Sequence, residues 1–315
     1  MDIKALFTYN YGKDKMDRIK ELGYDITIIG ENTINNNWDT DNSEILVCYN
    51  PFESLDVSKM KSLKWIQLSS IGVDQLPFEK LKKIDVVVTN NRGGYSIPMG
   101  EWIVMSILQL LKNSMGLYRK QRSKVWKIDT SLLELYNKKV GFIGTGSIAV
   151  EAAKRLQGFD VEVIGLNTSG RNVSYFDRCL PMEKIDFMVS LCDVVVVTIP
   201  YTEKTHHMFN DKMFSKMKKG VFFINLSRGS IVDEAALIEN IRNGRIAGAA
   251  LDVFESEPLD EKSPLWSFDN VIITPHNSWI SEMRNERRFE AIYENMKRYA
   301  QGEKLINVID LNKGY

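Results

Sequence analysis

Residues 140–160 read VGFIGTGSIAVEAAKRLQGFD, an apolar run followed by closely spaced small residues and a helix-forming stretch. Gly144, Gly146 and Ala149 follow the run in a G-x-G-x-x-A pattern. In a strand–turn–helix unit the first glycine allows the tight turn, the second lets the backbone approach a pyrophosphate, and the third small residue lets the helix pack on the strand. Such turns also occur for purely steric reasons. A further apolar run at 161–165 follows the helix, and this order favours a dinucleotide site.

Short β-branched runs alternate with helical patterns along nearly the whole chain, which predicts an α/β architecture of doubly wound parallel sheets. The runs are apolar on both faces, as expected for strands that helices cover on each side. The predicted strands before residue 100 are 4–8, 26–29, 45–48, 65–68 and 86–89. The predicted strands after it are 140–143, 161–166, 194–199, 221–226, 248–251 and 271–274.

One apolar segment separates the two sets of predicted strands. It reads EWIVMSILQLL at 101–111 and is apolar on nearly every side, so it is expected to be a buried helix. The dinucleotide unit begins only after this segment. The sequence therefore predicts a dinucleotide-binding domain at 101–280 and a different α/β domain at 1–100, to which the tail at 281–315 returns.

The composition is that of a soluble globular protein with room for two domains: 315 residues, 44% apolar and 26% charged. Forty-one basic residues balance 41 acidic ones, so binding to nucleic acid or to a membrane has no electrostatic support. The strongest apolar run, 194–199, is too short to span a bilayer. Cys48, Cys179 and Cys192 lack the spacing of a metal or redox site, and we interpret them as reduced packing residues of a cytoplasmic protein.

The strand predicted at 161–166 ends without the acidic residue that usually holds the ribose hydroxyls of NAD. Asn167 occupies that place, and Thr168, Ser169 and Arg171 follow it. A carboxylate would repel the 2′-phosphate of NADP, whereas hydroxyls can donate hydrogen bonds to a phosphate and an arginine can pair with it. The sequence therefore favours NADP over NAD. The alternative is an ordinary polar turn in an enzyme that tolerates either cofactor.

Three side chains suited to carbonyl reduction follow predicted strands of the second set. Arg228 lies in NLSRGSIVDE, Glu257 in ALDVFESEPL and His276 in TPHNSW. An arginine fork can grip a carboxylate and a carbonyl, a histidine is the natural proton donor near neutral pH, and a carboxylate orients the imidazole ring. Each residue also has a structural interpretation. Because parallel strands end at one edge of a sheet, however, we expect the three to converge. His206 and His207 are interpreted as structural.

The chain resembles the D-isomer-specific 2-hydroxyacid dehydrogenase family. The matching stretches in the second domain are GFIGTGSIA, VTIPYTEKTHHMFN, FINLSRGSIVDEAAL, GAALDVFESEPL and TPHNSW. Those in the first domain are LKWIQLSSIGVDQLP and VTNNRGGYSIPMGEW. The resemblance covers nearly the whole chain. It implies a Rossmann-type nucleotide domain inserted in a flavodoxin-like substrate domain made of 1–100 and 281–315.

The resemblance also implies an activity: hydride transfer from NADPH or NADH to a 2-oxo acid, which gives a D-2-hydroxy acid. In this assignment His276 is the acid/base, Glu257 is its carboxylate partner, and Arg228 anchors the 2-oxo acid. Backbone amides of Ile71 and Gly72 would bind the substrate carboxylate. The residues implied at the cofactor are Gly144, Thr145, Gly146, Ser147 and Ile148 at the pyrophosphate, Pro200 and Thr205 on the adenosine side, and Asp252 at the nicotinamide amide.

Members of the family commonly form homodimers through the nucleotide domain, which gives the 101–111 helix a possible role. Two departures from the family pattern are Ala149 in place of the third glycine and Asn167 in place of the acid. Two other functions stay open: a co-repressor-like protein that senses NAD(P), and a phosphoglycerate-dehydrogenase-type enzyme without a regulatory domain. Formate oxidation is disfavoured because it pairs the histidine with glutamine, whereas this chain has Glu257.

The substrate is not defined by the sequence. Glyoxylate, hydroxypyruvate, and branched-chain and aromatic 2-oxo acids all stay open. Tyr9, Tyr11, Tyr49 and Phe52 follow strands of the first domain and either shape an apolar pocket or belong to the core.

Overall fold

The computed structural model describes residues 3–314. The strands are β1 (Ile3–Phe7), β2 (Tyr24–Ile28), β3 (Ile45–Cys48), β4 (Trp65–Leu68), β5 (Val87–Thr89), β6 (Lys139–Ile143), β7 (Glu162–Asn167), β8 (Arg178–Pro181), β9 (Val194–Val197), β10 (Val221–Asn225), β11 (Ile246–Leu251) and β12 (Val271–Ile273). The α-helices are α1 (Lys13–Lys20), α2 (Phe78–Leu81), α3 (Ser96–Leu111), α4 (Ser114–Arg122), α5 (Ser147–Leu156), α6 (Ile185–Leu191), α7 (Asp211–Lys216), α8 (Glu234–Arg242) and α9 (Arg284–Ala300).

The chain divides into two compact units. The first consists of Met1–Tyr95 and Ser281–Tyr315, and the second of Ser96–Ile280. The predicted boundary at residues 100–101 falls inside α3, the helix that opens the second unit.

The first unit contains a five-stranded sheet in the order β2-β1-β3-β4-β5. All of its strand pairs are parallel, and this order is the flavodoxin-like one. Its core forms on both faces of the sheet, as expected when strands such as Ile45–Cys48 are buried at every position. Helix α9, which comes from the far end of the chain, contributes Phe289, Ile292 and Met296 to one of these faces.

The second unit contains a seven-stranded parallel sheet in the order β12-β11-β10-β9-β6-β7-β8. This is the Rossmann order with one strand added at the far edge. The order reverses at β6, from which β7 runs to one side and β9 to the other, and β6 leads into the glycine-rich turn. Ligands of such sheets bind at the carboxyl ends of the strands near this reversal.

Every strand predicted from the sequence is present, with ends shifted by one or two residues. One strand was missed, β8, whose residues Arg178–Pro181 are all half-buried and include no β-branched side chain. It is an edge strand that pairs only with β7, so it needs neither a continuous apolar run nor a free N–H at Pro181.

The apolar segment predicted to be a buried helix forms most of α3 and is buried within the second unit. Its side chains Ile103, Ile107 and Leu111 join the core on the α5 side of the sheet. A Cβ at Gly100 would lie 2.9 Å from the Cβ of Glu151, so α3 and α5 pack with almost no space between their backbones. Among residues 3–314, no helix is long and apolar enough to cross a membrane.

The buried cysteines fill space in the two cores. Cys48 and Cys192 are both buried, and no cysteine of the described chain is paired. A Cβ at Gly141 would lie 2.5 Å from Cys192 Sγ, so the thiol occupies the space that this glycine leaves above β6. Burial raises the pKa of Cys192 to about 12, which leaves the thiol protonated and poorly reactive at neutral pH.

Candidate active site

A histidine and a glutamate form a hydrogen-bonded pair after the strands β11 and β12. His276 Nδ1 lies 2.8 Å from Glu257 Oε2. Because an ionised carboxylate only accepts hydrogen bonds, Nδ1 carries the proton in this pair, and Nε2 faces away from the carboxylate. The His276 side chain is 41% exposed, so the ring is open to solvent.

The loop that carries His276 is held by one buried carboxylate. Asp252 is fully buried at the end of β11. Its Oδ1 accepts hydrogen bonds from Thr274 Oγ1 at 2.6 Å and from the Asn277 N–H at 3.0 Å, and its Oδ2 accepts one from the Ser278 N–H at 3.0 Å. The backbone carbonyl of Asp252 also accepts from the His276 N–H at 2.8 Å. Four hydrogen bonds therefore fix the loop onto the end of β11.

These hydrogen bonds stabilise a strained backbone at the reacting residue. His276 has a φ of +50°, in the left-handed region that costs a residue with a side chain about 1 kcal/mol or more. Trp279 Nε1 donates to the His276 carbonyl at 2.8 Å and holds the same turn from the other side. The Phe254 N–H donates to Glu257 Oε1 at 3.1 Å, so the carboxylate partner is oriented as well.

Arg228 follows the neighbouring strand β10. Asn225, the last residue of that strand, donates from Nδ2 to the Arg228 carbonyl at 3.0 Å and accepts from the Ser227 N–H at 3.1 Å. A Cβ at Gly229 would lie 1.8 Å from the carbonyl carbon of Phe254, which no side chain could tolerate. This close approach brings the loop of Arg228 against the loop that leads to Glu257.

The glycine-rich turn after β6 fits a bound pyrophosphate. Gly144 has a φ of +103°, and a Cβ there would lie 3.0 Å from both Ile199 Cγ2 and Thr198 Oγ1. A Cβ at Gly146 would meet no atom within 4 Å, and Gly146 has an ordinary extended backbone. No contact among residues 3–314 therefore requires a glycine at this position, whereas the close approach of a pyrophosphate would require one.

The start of α5 offers backbone donors at the same turn. No side chain caps this helix, and within the described residues the N–H groups of Ser147 and Ile148 donate to no protein acceptor. The Ser147 hydroxyl accepts a hydrogen bond from Ser96 Oγ at 2.8 Å. Ala149 is fully buried against the sheet, which is the packing that a small third residue permits. Such a helix start attracts a phosphate through its free amides and its dipole.

The turn after β7 is organised by Asn167. Its Nδ2 donates to Thr145 Oγ1 at 3.2 Å and to the Arg171 carbonyl at 2.9 Å. Its Oδ1 accepts from the N–H groups of Ser169 at 3.2 Å and Arg171 at 3.1 Å. These four bonds use the whole hydrogen-bonding capacity of the amide. Asn167 thus shapes the turn, while the side chains of Thr168, Ser169 and Arg171 stay available.

The loop after β9 holds Pro200, Thr205 and the two remaining histidines. Thr205 Oγ1 donates to the Pro200 carbonyl at 3.0 Å, which closes the loop. His206 and His207 stack with ring centroids 3.9 Å apart, and His207 Nε2 lies 3.1 Å from Glu255 Oε1. Both histidines therefore have partners within their own unit.

The predicted carboxylate-binding amides lie in the first unit, after β4. Asn90 Nδ2 donates to the Ile71 carbonyl at 2.7 Å, and Ser70 Oγ donates to the Gly72 carbonyl at 2.9 Å. The N–H groups of Ile71 and Gly72 donate to no acceptor within residues 3–314. The carbonyls of this loop are thus held while two adjacent amides stay available for an anion.

Comparison with known proteins identifies the family. Residues 104–278, more than half of the chain, match the profile described as "D-isomer specific 2-hydroxyacid dehydrogenase, NAD binding domain". The chain belongs to the D-isomer-specific 2-hydroxyacid dehydrogenases. The family, the enzyme class and the fold class predicted from the sequence are thereby confirmed.

Several relatives of this dehydrogenase are known. It is 32% identical over 248 residues to a glyoxylate reductase of Thermofilum pendens, which covers 77% of this chain and 73% of that protein. It is 31% identical over 259 residues to a D-3-phosphoglycerate dehydrogenase of Archaeoglobus fulgidus, covering 81% of this chain and 49% of that protein. Its fold matches that of a D-isomer-specific 2-hydroxyacid dehydrogenase from Xanthobacter autotrophicus, solved with NADPH and MES, with a TM-score of 0.84 and 27% identity over the full length of both chains.

Sequence reasoning missed the residues that position the reacting groups of this dehydrogenase. Asn225, Gly229 and Trp279 carry no reactive group, and a single sequence gives no reason to separate them from packing residues. Gly229 had one available signal, because it directly follows the arginine within the motif NLSRGS. Asp252 was assigned to the nicotinamide amide, and that role stays a prediction. The contacts of its carboxylate support a role in positioning His276.

The role of Asp252 can be tested by Asp252→Asn. The new NH₂ group would oppose one of the three donors that the buried carboxylate accepts, so we expect a loss of about 1–3 kcal/mol in the free energy of unfolding. The turnover number should fall as well, because the His276 loop loses its anchor. Urea unfolding and steady-state kinetics measure both effects. The exposed Asp260→Asn is the matched control, and equal behaviour of the two variants would contradict the anchoring role.

Proposed function

We propose that this dehydrogenase reduces a 2-oxo acid to the D-2-hydroxy acid and prefers NADPH as the reductant. The observation that carries this proposal is the hydrogen bond between His276 Nδ1 and Glu257 Oε2 on a loop fixed by Asp252. A proton donor held in one orientation, in a fold with a pyrophosphate-binding turn, is what carbonyl reduction requires.

The chemistry divides between the cofactor and the side chains. A bound reduced nicotinamide supplies the hydride for C2 of the substrate. His276, protonated on both nitrogens, donates its Nε2 proton to the oxygen that becomes the hydroxyl. The carboxylate of Glu257 stabilises the imidazolium and fixes the ring. Arg228 anchors the 2-oxo acid, and its positive charge stabilises the negative charge that develops on that oxygen.

Replacement of the acid/base pair gives a direct test. We expect His276→Asn to lower the turnover number by about 10²–10⁴-fold, the usual contribution of a positioned acid, and to leave cofactor binding intact. Glu257→Gln should have a smaller effect of the same kind. Glu261→Gln, on an exposed part of the same loop, is the matched control. Turnover is read from oxidation of NADPH and binding from its fluorescence. Full turnover of His276→Asn would exclude the acid role.

A panel of 2-oxo acids separates the enzyme from a cofactor-sensing binding protein. Glyoxylate, hydroxypyruvate, 4-methyl-2-oxopentanoate and phenylpyruvate cover the small, polar, branched and aromatic classes. Cofactor binding without turnover of any 2-oxo acid would favour the sensor.

The proposed preference for NADPH rests on the Asn167 turn. The turn carries no carboxylate at the position of the usual acid, and two hydroxyls lie beside an arginine. Within residues 3–314, Arg171 forms no ion pair, so its charge is available to a phosphate. The relative from Xanthobacter autotrophicus was solved with NADPH, which is compatible with this preference.

Asn167→Asp tests this preference. The carboxylate would repel the 2′-phosphate and would lose the two hydrogen bonds that Nδ2 donates. Loss of one charge-assisted contact is worth about 1.5–3 kcal/mol, so kcat/KM with NADPH should fall about 10-fold or more. The value with NADH should stay constant or rise. Asn243→Asp adds the same charge at a remote exposed turn, so it controls for the effect of the added charge alone. A wild type that prefers NADH would contradict the proposal.

We also propose a homodimer, formed through a surface other than α3. The exposed apolar side chains of the second unit concentrate in α4 and the irregular segment after it. The nine that lie there are Met115, Leu117, Tyr118, Val125, Trp126, Ile128, Leu132, Leu133 and Tyr136. Trp126 has a relative exposure of 103% and Ile128 of 85%, values that a lone folded chain rarely shows for such side chains.

This apolar segment is held in a defined conformation. The carboxylate of Asp129 accepts hydrogen bonds from Ser131 Oγ at 2.6 Å and from Lys120 Nζ at 3.0 Å. These bonds hold the pKa of Asp129 well below its usual range. An ordered apolar surface of this kind suits a self-complementary interface with a second copy of the chain.

The doubly substituted chain Trp126→Asp, Ile128→Asp tests the interface. Light scattering should give twice the chain mass for the wild type and the chain mass for the variant, because two charges cannot be buried in an apolar interface without partners. Trp38→Asp, at a half-exposed tryptophan of the first unit, is the matched control. A monomeric wild type, or a dimeric double variant, would contradict the proposed surface.

A further inference from the structure

A cluster of one arginine and two tyrosines lies in the first unit, beside the loop that holds Ile71 and Gly72. Arg288, on α9, donates from Nε to the Tyr95 hydroxyl. Tyr95 in turn donates from its hydroxyl to the Ser69 carbonyl at 2.7 Å. The arginine is therefore one tyrosine side chain away from the loop whose amides are available to an anion.

Arg288 is a half-buried cation without a carboxylate partner. No acidic group lies within ion-pair distance of it in the described chain. Two other arginines on or against α9 do have carboxylate partners: Arg18 pairs with Glu290 at 2.7 Å, and Arg298 with Glu294 at 2.7 Å. The guanidinium carbon of Arg288 lies 5.5 Å from the Tyr95 ring centroid, so aromatic packing holds it in place. A fixed, partly desolvated charge of this kind gains most from an anion that arrives from outside.

The hydroxyl of Tyr11 is a second unsatisfied group in the cluster. It is buried, and no group of residues 3–314 meets it with good hydrogen-bond geometry, although the Arg288 guanidinium lies close to it. Its ring is fixed edge-on against Tyr9 at 4.9 Å and lies 5.7 Å from Phe289. Burial raises the pKa of Tyr11, and the neighbouring charge of Arg288 opposes that rise. A buried hydroxyl without a partner costs about 1–3 kcal/mol unless a ligand supplies an acceptor.

We propose that Arg288 and Tyr11 form a subsite for a second acidic group of the substrate, at the end opposite to its 2-oxo acid carboxylate. This inference rests on the proposed reduction of a 2-oxo acid and names the substrate class: 2-oxo acids whose side chain ends in an anion. Ile71 and Gly72 bind the first carboxylate through their amides, and Arg288 binds the second group through the terminal N–H groups of its guanidinium, while its Nε stays bonded to Tyr95. Tyr11 donates its hydroxyl proton to the same group.

Two substrates of equal shape test the subsite. Oxaloacetate and 4-methyl-2-oxopentanoate differ in that the first ends in a carboxylate where the second ends in an isopropyl group of similar size. We expect kcat/KM to be at least about 10-fold higher for oxaloacetate, as one charge-assisted contact allows. In Arg288→Met this preference should be lost because the KM for oxaloacetate rises. The kcat/KM for 4-methyl-2-oxopentanoate should stay unchanged. 3-Phosphohydroxypyruvate shows whether a terminal phosphate is accepted as well. A preference for this substrate over 4-methyl-2-oxopentanoate that disappears in Arg288→Met would support the subsite equally.

Further variants separate binding from folding. Arg288→Lys should keep part of the preference because it keeps the charge, and Tyr11→Phe should reduce it by a few-fold. Arg298→Met, at a paired arginine on the same helix, is the matched control. Equal loss of activity toward both substrates in Arg288→Met, or a wild type that prefers the neutral acid, would overturn the subsite and leave the proposed reductase activity standing.

A binding measurement keeps the subsite testable without turnover. The rise in Tm on addition of D-malate or oxaloacetate should be larger than that caused by 4-methyl-2-oxopentanoate, and Arg288→Met should abolish the difference. If no 2-oxo acid is turned over, the proposed function falls, while this shift still decides the subsite. Identical shifts in the wild type and Arg288→Met would overturn it.

Discussion

The proposed reaction site depends on one buried carboxylate. Asp252 accepts three hydrogen bonds from the loop after β12 through its side chain, and a fourth through its carbonyl. Taking a carboxylate out of water is costly, and only a full set of donors offsets that cost. The donors here belong to the residues around His276. The same contacts that compensate the burial of Asp252 therefore fix the position of His276 and hold the His276 backbone at a positive φ.

Close packing of neighbouring loops positions the other two proposed reacting groups, Arg228 and Glu257. Gly229 lets the loop after β10 touch the backbone at Phe254, so the loop of Arg228 is set against the segment that leads to Glu257. The glutamate then orients His276 through Nδ1. Each of three consecutive strands, β10, β11 and β12, is thus followed by one of the proposed reacting groups. The residues that hold these groups, such as Asn225, Gly229 and Trp279, carry no reactive group. Their substitution should therefore change the turnover number and leave the type of reaction unchanged.

The sequence predicted the fold because parallel strands buried on both faces give continuous apolar runs, and each predicted run became a strand. It missed β8, since an edge strand needs no such run. The candidate reacting residues could be named from the sequence because their chemistry is visible in their side chains, and their roles stay predictions. The roles of Asn225, Gly229 and Asp252 depend on contacts between segments distant along the chain, and spacing within one segment does not contain that information. The internal bonding of Asn167 is likewise visible only in three dimensions.

The first unit also differs from the apolar pocket that the sequence led us to expect. Tyr11 was predicted to be either a pocket wall or a core residue, and both readings ignore its hydroxyl. Arg288, whose charge acts on Tyr11, comes 277 positions later in the chain and reaches the tyrosines because α9 packs on the first sheet. A polar role for this tyrosine follows from that packing.

The proton transferred by His276 gives the most direct test of the account. Reduction takes a proton from the imidazolium, whereas oxidation of the D-2-hydroxy acid returns one to the neutral imidazole. With the wild-type enzyme, kcat/KM should be measured in both directions as a function of pH. As the pH rises, the value for reduction should fall and the value for oxidation should rise, over the same pH interval. Curves that move in parallel, or a reduction rate that does not change with pH, would contradict His276 as the group that carries the proton.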